Sequence, residues 1–394
     1  MLKNFLKLFS GNAISQAIQL IALLYLTSLY LPDDFGMLGK IQSFGYILSI
    51  VITLQMNQVL PLSQNDDYAI DLAQTVFKIT LFNFVISFIF LLFIPLDYLL
   101  GIVLALVLGL NSAINGYLIY KGKYSIISIL YIVRTTSIVS LQFLFYYIKL
   151  NNGLLYGAVI GELVGFIYLY FSNMKELKFN LKFNVKKIKK YIIDWKAFSL
   201  HGTTQELLSV AIYALPTIFY AEKFSEAISG QYSVAFKVIY APTTLISTSL
   251  CQVLYPKFGQ KDGFKFLKNF IWFDKRIIIL LILILIILFN LEYFNFEFLK
   301  GEWDITFVLL PYLFISAMFF LLSSPYRLAL RALKLNKQLL KIEVLTLILM
   351  ISIFYLADLD VLYFTIFITI TGVVQNLSIC IYYNFHEKSA IKIV

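Results

Sequence analysis

The sequence predicts an all-α integral membrane protein with about 12 transmembrane helices. The first observation is composition: 60% of the 394 residues are hydrophobic and only 14% are charged, with a mean hydropathy of +0.83. In soluble domains about a quarter of the residues are charged. The second is that apolar residues form runs of about 20, long enough for a helix to cross about 30 Å of hydrocarbon. The third is that 26 of the 32 Lys and Arg residues fall in alternate connections between these runs.

Each apolar run is predicted to be a helix, because backbone groups inside a bilayer must pair within their own segment. The predicted spans are residues 9–31, 41–61, 74–95, 98–120, 124–148, 152–173, 197–220, 230–255, 276–292, 305–326, 342–357 and 361–383. The longest polar interruption separates six spans from six. We therefore expect an N-terminal six-helix bundle, a basic cytoplasmic linker, and a C-terminal six-helix bundle with a short cytoplasmic tail. Their bounds are 1–173, 174–196 and 197–394.

The charge pattern predicts that both termini are cytoplasmic, because Lys and Arg concentrate in cytoplasmic connections. The outer connections hold only Lys40, Lys149, Lys223 and Lys300. The inner connections are assigned the other loop cations, among them Lys78 and the group from Arg327 to Lys341. The inner segment 62–73 is the exception, since it carries the acids Asp66, Asp67 and Asp71.

The basic linker 174–196 is expected to contact anionic lipid headgroups at the cytoplasmic face, at on the order of 1 kcal/mol for each lysine. A solvated linker that only follows the topology is the alternative. The first span is predicted to be a retained helix, because no small-residue cleavage site follows it.

Several functions are excluded. The net charge of +10 does not indicate nucleic-acid binding, because the basic residues are divided among separate segments. Cys251 and Cys380 lie in apolar runs without metal-ligand spacing. Residues 116–123 lack the spacing of a phosphate-binding loop, and Tyr124 replaces its Ser or Thr. The longest outer connection, about 293–304, is short for an enzyme that polymerises lipid-linked sugars. We therefore predict a transporter rather than an enzyme, with no metal or organic cofactor.

Two landmarks indicate an internal duplication. Gly36 lies 22 residues before the segment 58–61, Gln-Val-Leu-Pro, and Gly230 lies 22 residues before 252–256, Gln-Val-Leu-Tyr-Pro. The same offset of 194 residues relates both landmarks. A repeat of six spans has an even number of crossings, so its copy keeps the same orientation about an axis along the membrane normal.

The landmarks also carry a resemblance to a known family. Residues 31–36, Leu-Pro-Asp-Asp-Phe-Gly, resemble the loop after the first helix of polysaccharide and O-antigen flippases. Residues 230–237, Gly-Gln-Tyr-Ser-Val-Ala-Phe-Lys, with 252–256 and its terminal proline, resemble the eighth helix of that family. Residues 115–123 are similar to the end of its fourth helix.

The resemblance implies the fold of the multidrug/oligosaccharidyl-lipid/polysaccharide (MOP) exporters, which is MATE-like and has two six-helix bundles around a central cavity. The implied substrate is an undecaprenyl-diphosphate-linked oligosaccharide. The implied flippase moves it from the cytoplasmic to the outer leaflet of the bacterial inner membrane, for lipopolysaccharide O-antigen, capsule or a related polysaccharide. Other polysaccharide assembly proteins are implied partners. The alternatives are an ion-coupled exporter of drugs or small molecules with the same fold and, with less support, a membrane polysaccharide polymerase.

Four ionisable residues lie well inside predicted spans: Arg134, Glu162, Glu206 and Lys237. Each costs about 3 kcal/mol in hydrocarbon on insertion scales, so each should face a cavity or a partner. We interpret Arg134 and Lys237 as substrate-binding cavity cations, because a lipid diphosphate carries about two negative charges that hydrocarbon excludes. Lys237 also matches the basic position of the family's eighth helix. The alternative is two structural ion pairs, Arg134 with Glu162 and Glu206 with Lys237.

The two glutamates are also candidate coupling carboxylates, and the sequence leaves open whether H⁺, Na⁺ or no ion is coupled. Pro242 removes a helical hydrogen bond five residues after Lys237 and is a candidate gating position. Polar residues at helical spacing extend the predicted cavity face: Asn12, Gln16, Gln19, His201, Gln205, Ser209, Thr244, Ser247 and Cys251. The alternative role for such residues is to hydrogen-bond helices together, and His201 is interpreted as interfacial.

Overall fold

The protein is helical throughout the residues that the computed structural model describes, which are 2–93, 95–177, 184–258, 275–290, 303–333, 335–356 and 359–390. The helices are α1 (Leu2–Leu29), α2 (Pro32–Thr53), α3 (Asp66–Ser87), α4 (Leu99–Tyr120), α5 (Tyr124–Tyr147), α6 (Gly153–Leu177), α7 (Val185–Asp194), α8 (Thr203–Lys223), α9 (Glu226–Phe258), α10 (Lys275–Phe289), α11 (Asp304–Ala332), α12 (Asn336–Leu356) and α13 (Val361–Ala390). The predicted all-α fold is confirmed.

Ten helices in the described ranges are long and apolar enough to cross a membrane, namely α1 to α6, α9 and α11 to α13. The seventh predicted span, 197–220, corresponds to a π-helical turn at Ala197–Gly202 followed by α8. The ninth, 276–292, corresponds to α10, which has 15 residues and a rise of about 22 Å. Most of the basic group between Lys257 and Arg276, and the outer connection near 293–304, lie outside the described residues.

Helix α2 begins and ends earlier than its predicted span, 41–61. Pro32 opens it, where the missing N–H leaves no hydrogen bond unmade, and Asp34 accepts a hydrogen bond from the preceding backbone at 3.1 Å. Leu54 and Gln55 follow the helix with positive φ angles of 48° and 50°, which a right-handed helix does not allow. Capping and backbone geometry, rather than hydrophobicity, set the ends of this helix.

Several basic residues that the charge pattern assigned to connections lie inside helices instead, and three of them are examples. Lys40 lies in α2, Lys78 in α3 and Arg327 in α11. Their assignment to connections is wrong. A hydropathy window ends near a charged residue, whereas a helix continues as long as its backbone hydrogen bonds are made.

The chain falls into two compact units. Unit 1 comprises Met1–Ala22, Lys40–Ala214 and Lys334–Leu340, and unit 2 comprises Leu23–Gly39, Leu215–Leu333 and Lys341–Val394. The division passes through α1, α2, α8 and α12, because a long helix contacts different neighbours along its length. It does not follow the predicted division at 174–196, and the predicted six-and-six arrangement stays a prediction.

Two acids that stood against an inner placement of residues 62–73 are paired with lysines. Asp66 lies 2.5 Å from Lys121 Nζ, and Asp71 forms an ion pair with Lys187. These contacts offset the negative charge locally, so the acids are compatible with a segment rich in basic neighbours.

Glu176 joins the end of α6 to the turn between α4 and α5. Its carboxylate binds Lys123 and accepts a hydrogen bond from the Tyr117 hydroxyl at 3.3 Å. The hydrogen bond from Lys123 lowers the pKa of Glu176 below its ordinary value of 4.5. Because the folded pKa is the lower one, this contact stabilises the fold above the ordinary pKa and is lost as the pH falls through the lowered pKa.

The predicted linker, 174–196, contains the helix α7, which packs against the first turns of α3. The Tyr191 hydroxyl donates to Asp71 Oδ2 at 2.5 Å, and Trp195 Nε1 donates to the Tyr68 hydroxyl at 2.6 Å. All four lysines of α7 are exposed; Lys187 pairs with Asp71, and the other three are Lys186, Lys189 and Lys190. This segment is therefore a fixed basic helix on unit 1 rather than a featureless connection.

Helices α5 and α6 of unit 1 approach closely along a row of glycines. The facing pairs are Gly157 with Gln142, Gly161 with Ile138, and Gly165 with Arg134. A Cβ atom at Gly161 would lie 2.6 Å from the Ile138 Cα atom, which no side chain permits. Small residues spaced four apart allow such close packing between membrane helices. The row fixes the register of α6 against α5.

In unit 2 the two sequence landmarks lie against each other. A Cβ at Gly230 of α9 would overlap the Pro32 carbonyl oxygen of α2, and a Cβ at Gly36 would lie 2.6 Å from the Glu226 carbonyl oxygen. The Phe35 ring meets Trp303 edge-on at 5.6 Å. The starts of α2 and α9 therefore form a crossing that requires glycine on both helices.

Candidate functional site

Arg134 and Glu162 form the most distinctive polar pair in the described interior of unit 1. Arg134 Nη1 lies 3.7 Å from Glu162 Oε1, a distance that gives an ion pair without a hydrogen bond. The Arg134 side chain is 34% exposed, whereas that of Glu162 is only 7% exposed. Among the described residues, Arg134 Nε and Glu162 Oε2 have no hydrogen-bond partner. The predicted pairing is present, but it is loose and leaves much of the arginine accessible.

The walls around Arg134 come from three helices. Tyr131 of α5 places its ring 5.9 Å from the guanidinium carbon. Tyr46 of α2 lies within electrostatic range of both charges of the pair, and Gly165 of α6 leaves room for the arginine stem. The arginine is therefore held from three sides within unit 1 and has an accessible side.

The polar residues predicted to form one face of α1 differ in how far they are buried. Asn12 is buried, Gln16 is half-buried with its Oε1 atom lacking a described hydrogen-bond partner, and Gln19 is exposed. Ser15, which the sequence did not single out, hydrogen-bonds Thr135 of α5 at 2.5 Å. The contact between α1 and α5 therefore lies one residue from Arg134.

The predicted face around Glu206 also belongs to unit 1. Gln205 and Ser209 are buried, whereas His201 and Glu206 are half-buried. His201 lies in the π-helical turn Ala197–Gly202, whose carbonyl at Ala197 accepts a hydrogen bond from Asn336 Nδ2 at 2.9 Å. Such turns are frequent at functional sites.

Lys237 is half-buried on α9 of unit 2, well inside the helix. Within the described part of this unit it makes no hydrogen bond or ion pair. Glu206 belongs to unit 1, so the predicted pair of Glu206 with Lys237 stays a prediction. Pro242 is exposed on the same helix, Ser247 is buried, and Thr244 donates a hydrogen bond to the Tyr240 carbonyl at 2.7 Å.

Aromatic rings stiffen α9 around Lys237. Phe236 and Tyr240 are stacked with centroids 4.1 Å apart, and Tyr232 is stacked on Tyr220 of α8 at 4.5 Å. The Tyr240 hydroxyl donates to Ser316 Oγ at 3.0 Å. These contacts hold the helix on both sides of the lysine while leaving its charge unpaired in the described part of unit 2.

A second arginine and glutamate pair lies in unit 2, and the sequence did not predict it. Arg327 Nη1 donates to Glu343 Oε1 at 2.6 Å, and Gln375 donates to the other carboxylate oxygen. The side chains of Arg327 and Glu343 are 8% and 0% exposed. Arg327 falls just after the predicted span 305–326, and Glu343 lies at the very start of the span 342–357, where it was not singled out. The signal that identifies the pair is the two amides Gln375 and Asn376 inside the last span. The arginine charge is neutralised here, so this cluster joins α11, α12 and α13.

The described residues contain no group of three or more His, Cys, Asp or Glu side chains arranged to hold a metal ion. The ionisable groups around Arg134 are the Glu162 carboxylate and the phenols Tyr46 and Tyr131. The two cations, Arg134 and Lys237, suit an anionic ligand better than a metal ion.

Solved structures of transporters share the fold of this chain. A MATE protein in complex with MaL6 shares 12% identity and a TM-score of 0.68, over 99% of this chain and 97% of that chain. An outward-facing multidrug resistance MATE transporter of the MOP superfamily shares 13% identity and a TM-score of 0.67, over 99% and 96%. A MOP transporter from Pyrococcus furiosus, whose binding pocket is described as reversed in polarity, shares 11% identity and a TM-score of 0.62. The match covers 98% of this chain and 96% of that chain. The fold is that of a multi-pass MOP-superfamily transporter.

The family follows from the sequence itself. The family described as "Polysaccharide biosynthesis protein" matches residues 1–261, about two-thirds of the chain, and the chain belongs to that family. No curated protein sequence matches it. The predicted resemblance to a polysaccharide-related family is therefore confirmed, and the chain has the fold of MOP-superfamily transporters.

Proposed function

We propose that this protein is a flippase for undecaprenyl-diphosphate-linked oligosaccharide repeat units. It moves them from the cytoplasmic to the outer leaflet of the bacterial inner membrane during synthesis of O-antigen, capsule or a related polysaccharide. The observation that carries the proposal is that each unit has, inside a helix, a cation that is not fully neutralised in the described structure: Arg134 in unit 1 and Lys237 in unit 2. Family membership supplies the link to polysaccharide.

The two cations suit the charged part of such a substrate. A diphosphate ester carries about two negative charges and needs compensating donors in a low-dielectric path. The guanidinium of Arg134 offers a planar fork for two phosphate oxygens, whereas the ammonium of Lys237 acts as a compact point charge. The amides and hydroxyls of Asn12, Gln16, Gln19, Gln205, Thr244 and Ser247 are the proposed contacts for sugar hydroxyls.

The test is translocation in reconstituted vesicles. The lipid-linked oligosaccharide, radiolabelled in its sugar, is placed in the inner leaflet, and a sugar-cleaving enzyme outside measures how much reaches the outer leaflet. We expect faster exposure with protein than without it, and recovery of the lipid-linked sugar chemically unchanged when the enzyme is omitted. Exposure no faster than in protein-free vesicles contradicts the proposal.

The multidrug transporters among the structural relatives favour one alternative, an ion-coupled exporter of small molecules. Transport of a fluorescent organic cation in the same vesicles, without exposure of the lipid-linked sugar, supports that alternative. A chemically altered lipid-linked sugar supports the third candidate, a membrane polymerase. Coupling to H⁺ or Na⁺ is part of the proposal in either transporter.

Anionic lipids are the proposed partners of α7. Its exposed lysines and its exposed Val185 and Ile193 suit the boundary between headgroups and acyl chains, where basic amphipathic helices bind. The contacts of Tyr191 and Trp195 with α3 would hold the helix at that boundary. Polysaccharide assembly proteins are the proposed protein partners.

A further inference from the structure

Tyr46 of α2 has an exposed ring on a face of its helix that is otherwise covered. The residue is 44% exposed. The residues one turn before it and one turn after it on the same face are buried or half-buried, namely Gln42, Ser43, Ser49 and Ile50. A helix face that turned to lipid would expose a continuous row of side chains. The opening at Tyr46 is therefore a local space rather than part of a lipid-facing surface.

The space at Tyr46 lies beside the accessible arginine of unit 1. The charges of Arg134 and Glu162 both act on the Tyr46 side chain, so α5, α6 and α2 bring these three residues together. The Arg134 side chain is 34% exposed. The ring of Tyr131 lies 5.9 Å from the guanidinium carbon and is buried, so it supports the arginine without presenting a free surface. Tyr46 therefore places an accessible ring next to an accessible cation.

The two parts of the Tyr46 side chain suit a sugar. Its backbone carbonyl accepts a hydrogen bond from Ser49 at 2.7 Å, whereas its hydroxyl makes no hydrogen bond with any described residue. A tyrosine ring is a rigid contact surface that loses little conformational entropy on binding. One face of a pyranose carries mainly C–H groups, which pack on such a ring, and its hydroxyls pair with the phenol.

We propose that Tyr46 binds the sugar that is bonded directly to the diphosphate of the substrate. A single oxygen atom separates this first sugar from the diphosphate, so a diphosphate on Arg134 holds the sugar beside the neighbouring ring. Tyr46 thereby makes the protein prefer a carrier that bears a sugar over the same carrier without one. This inference rests on the proposed function, and it adds a specificity-determining residue to the cationic site.

The experiment measures how much the first sugar adds to binding by the full-length protein in nanodiscs. The probes are undecaprenyl diphosphate glucose and undecaprenyl methyl diphosphate, two diesters of equal charge that differ in the sugar. Displacement of the radiolabelled glucose probe gives a dissociation constant for each. The variants are Tyr46→Ala and Arg134→Ala. The matched control is Tyr147→Ala, which removes a tyrosine that is 74% exposed at the end of α5.

We expect wild type and Tyr147→Ala to bind the glucose probe about tenfold more tightly than the methyl probe. In Tyr46→Ala this ratio should fall to about one, while the affinity for the methyl probe stays near that of wild type. Arg134→Ala should instead weaken both probes, because it removes the contact with the diphosphate that they share. If Tyr46→Ala does not fold, Tyr46→Leu replaces it with the same expectation, because leucine keeps apolar bulk without a flat ring or a hydroxyl.

Three results overturn the inference and leave the proposed function standing. The first is a ratio of about one in wild type, the second is a ratio in Tyr46→Ala equal to that of wild type, and the third is an equal loss of affinity for both probes in Tyr46→Ala. Failure of wild type to bind either diphosphate contradicts the proposed function and the inference together.

Discussion

Two arginine and glutamate pairs in this protein differ in how fully the arginine is neutralised. Arg327 is buried and donates a hydrogen bond of 2.6 Å to Glu343, which also binds an amide. Arg134 is accessible and lies 3.7 Å from Glu162. The first arrangement fixes helices, because every part of the carboxylate is engaged. The second leaves a cation that a ligand is able to bind.

Replacement of the cations tests their proposed role. Arg134→Ala and Lys237→Ala are each expected to lower flipping by about tenfold or more, because loss of a charge-assisted hydrogen bond costs about 1.5 to 3 kcal/mol. Abundance in the membrane should stay near that of wild type. The measurements are glycan display on cells and exposure of the lipid-linked sugar in vesicles.

Lys149→Asn is the control for these variants, because it removes an exposed lysine at a positive φ of 56°, which asparagine tolerates. Wild-type flipping in both cation variants would remove the proposed cationic path. Tolerance of Glu206→Gln together with Lys237→Met, with each single change harmful, would instead support a structural pair.

Replacing Arg327, which pairs with Glu343 in unit 2, should lower the stability of the protein, unlike the replacements of Arg134 and Lys237. Arg327→Met leaves the buried Glu343 without its cation, and we expect a loss of stability of about 3 to 5 kcal/mol with low abundance. Thermal unfolding of the purified protein measures this effect. The double change Arg327→Met with Glu343→Leu should recover much of the loss. If the single variant is as stable as wild type, the cluster does not hold the three helices.

At the scale of helices, glycines decide where two elements cross. The starts of α2 and α9 are close enough that Gly36 and Gly230 face backbone carbonyls of the other helix. Helices α5 and α6 also approach closely, because the glycine row of α6 faces Gln142, Ile138 and Arg134, and this row sets the position of Glu162 beside Arg134. A side chain at such a crossing must displace backbone, which is harder than displacing the end of a flexible side chain.

Gly230→Ala is expected to destabilise the protein by about 1 to 3 kcal/mol, because the added methyl overlaps the Pro32 carbonyl. Gly202→Ala is the matched control, since its Cβ would lie 3.3 Å from the nearest atom, the Ala197 carbonyl oxygen. Thermal unfolding midpoints of the two purified variants make the comparison. Equal midpoints would show that the starts of α2 and α9 separate at little cost.

The proposed binding of helix α7 to anionic lipids can be measured. Lys186, Lys189 and Lys190 together should contribute about 3 kcal/mol of attraction to an anionic surface. Their combined replacement by glutamine should lower flipping in vesicles with anionic lipids and leave flipping in neutral vesicles unchanged. Lys149→Asn again serves as the control, because it removes an exposed lysine outside α7. A triple variant that behaves like wild type in both kinds of vesicle rules out the lipid contact.

For the whole molecule, composition and hydropathy were sufficient to predict the fold class. Ten of the twelve predicted spans are matched by described helices of membrane-crossing length, and the fold is that of the MOP exporters. The motifs at 31–36 and 230–237 correctly identified the family. Hydropathy determines this much because a bilayer admits helices and excludes nearly every other backbone arrangement in lipid contact.

The positions of individual charges were less predictable. Lys40, Lys78 and Arg327 were assigned to connections and lie in helices, and Glu343 was not recognised. A charged residue marks the end of an apolar window whether or not the helix ends there. Whether it lies in a loop, in a neutral pair or beside an accessible surface depends on residues far away in the sequence.

The sequence by itself determined that the surrounding medium is a bilayer, that the fold is helical, and to which family the chain belongs. These properties depend on average hydrophobicity, charge distribution and short motifs. Only the tertiary structure decided which cations are neutralised. Arg134 and Arg327 are the same residue in similar apolar surroundings of the sequence. Arg327 donates a short hydrogen bond to a carboxylate on the next helix, whereas Arg134 lies 3.7 Å from a carboxylate whose helix is packed on α5 through a row of glycines. Electrostatic energy depends on distances of a few ångströms between side chains, which the order of residues does not specify.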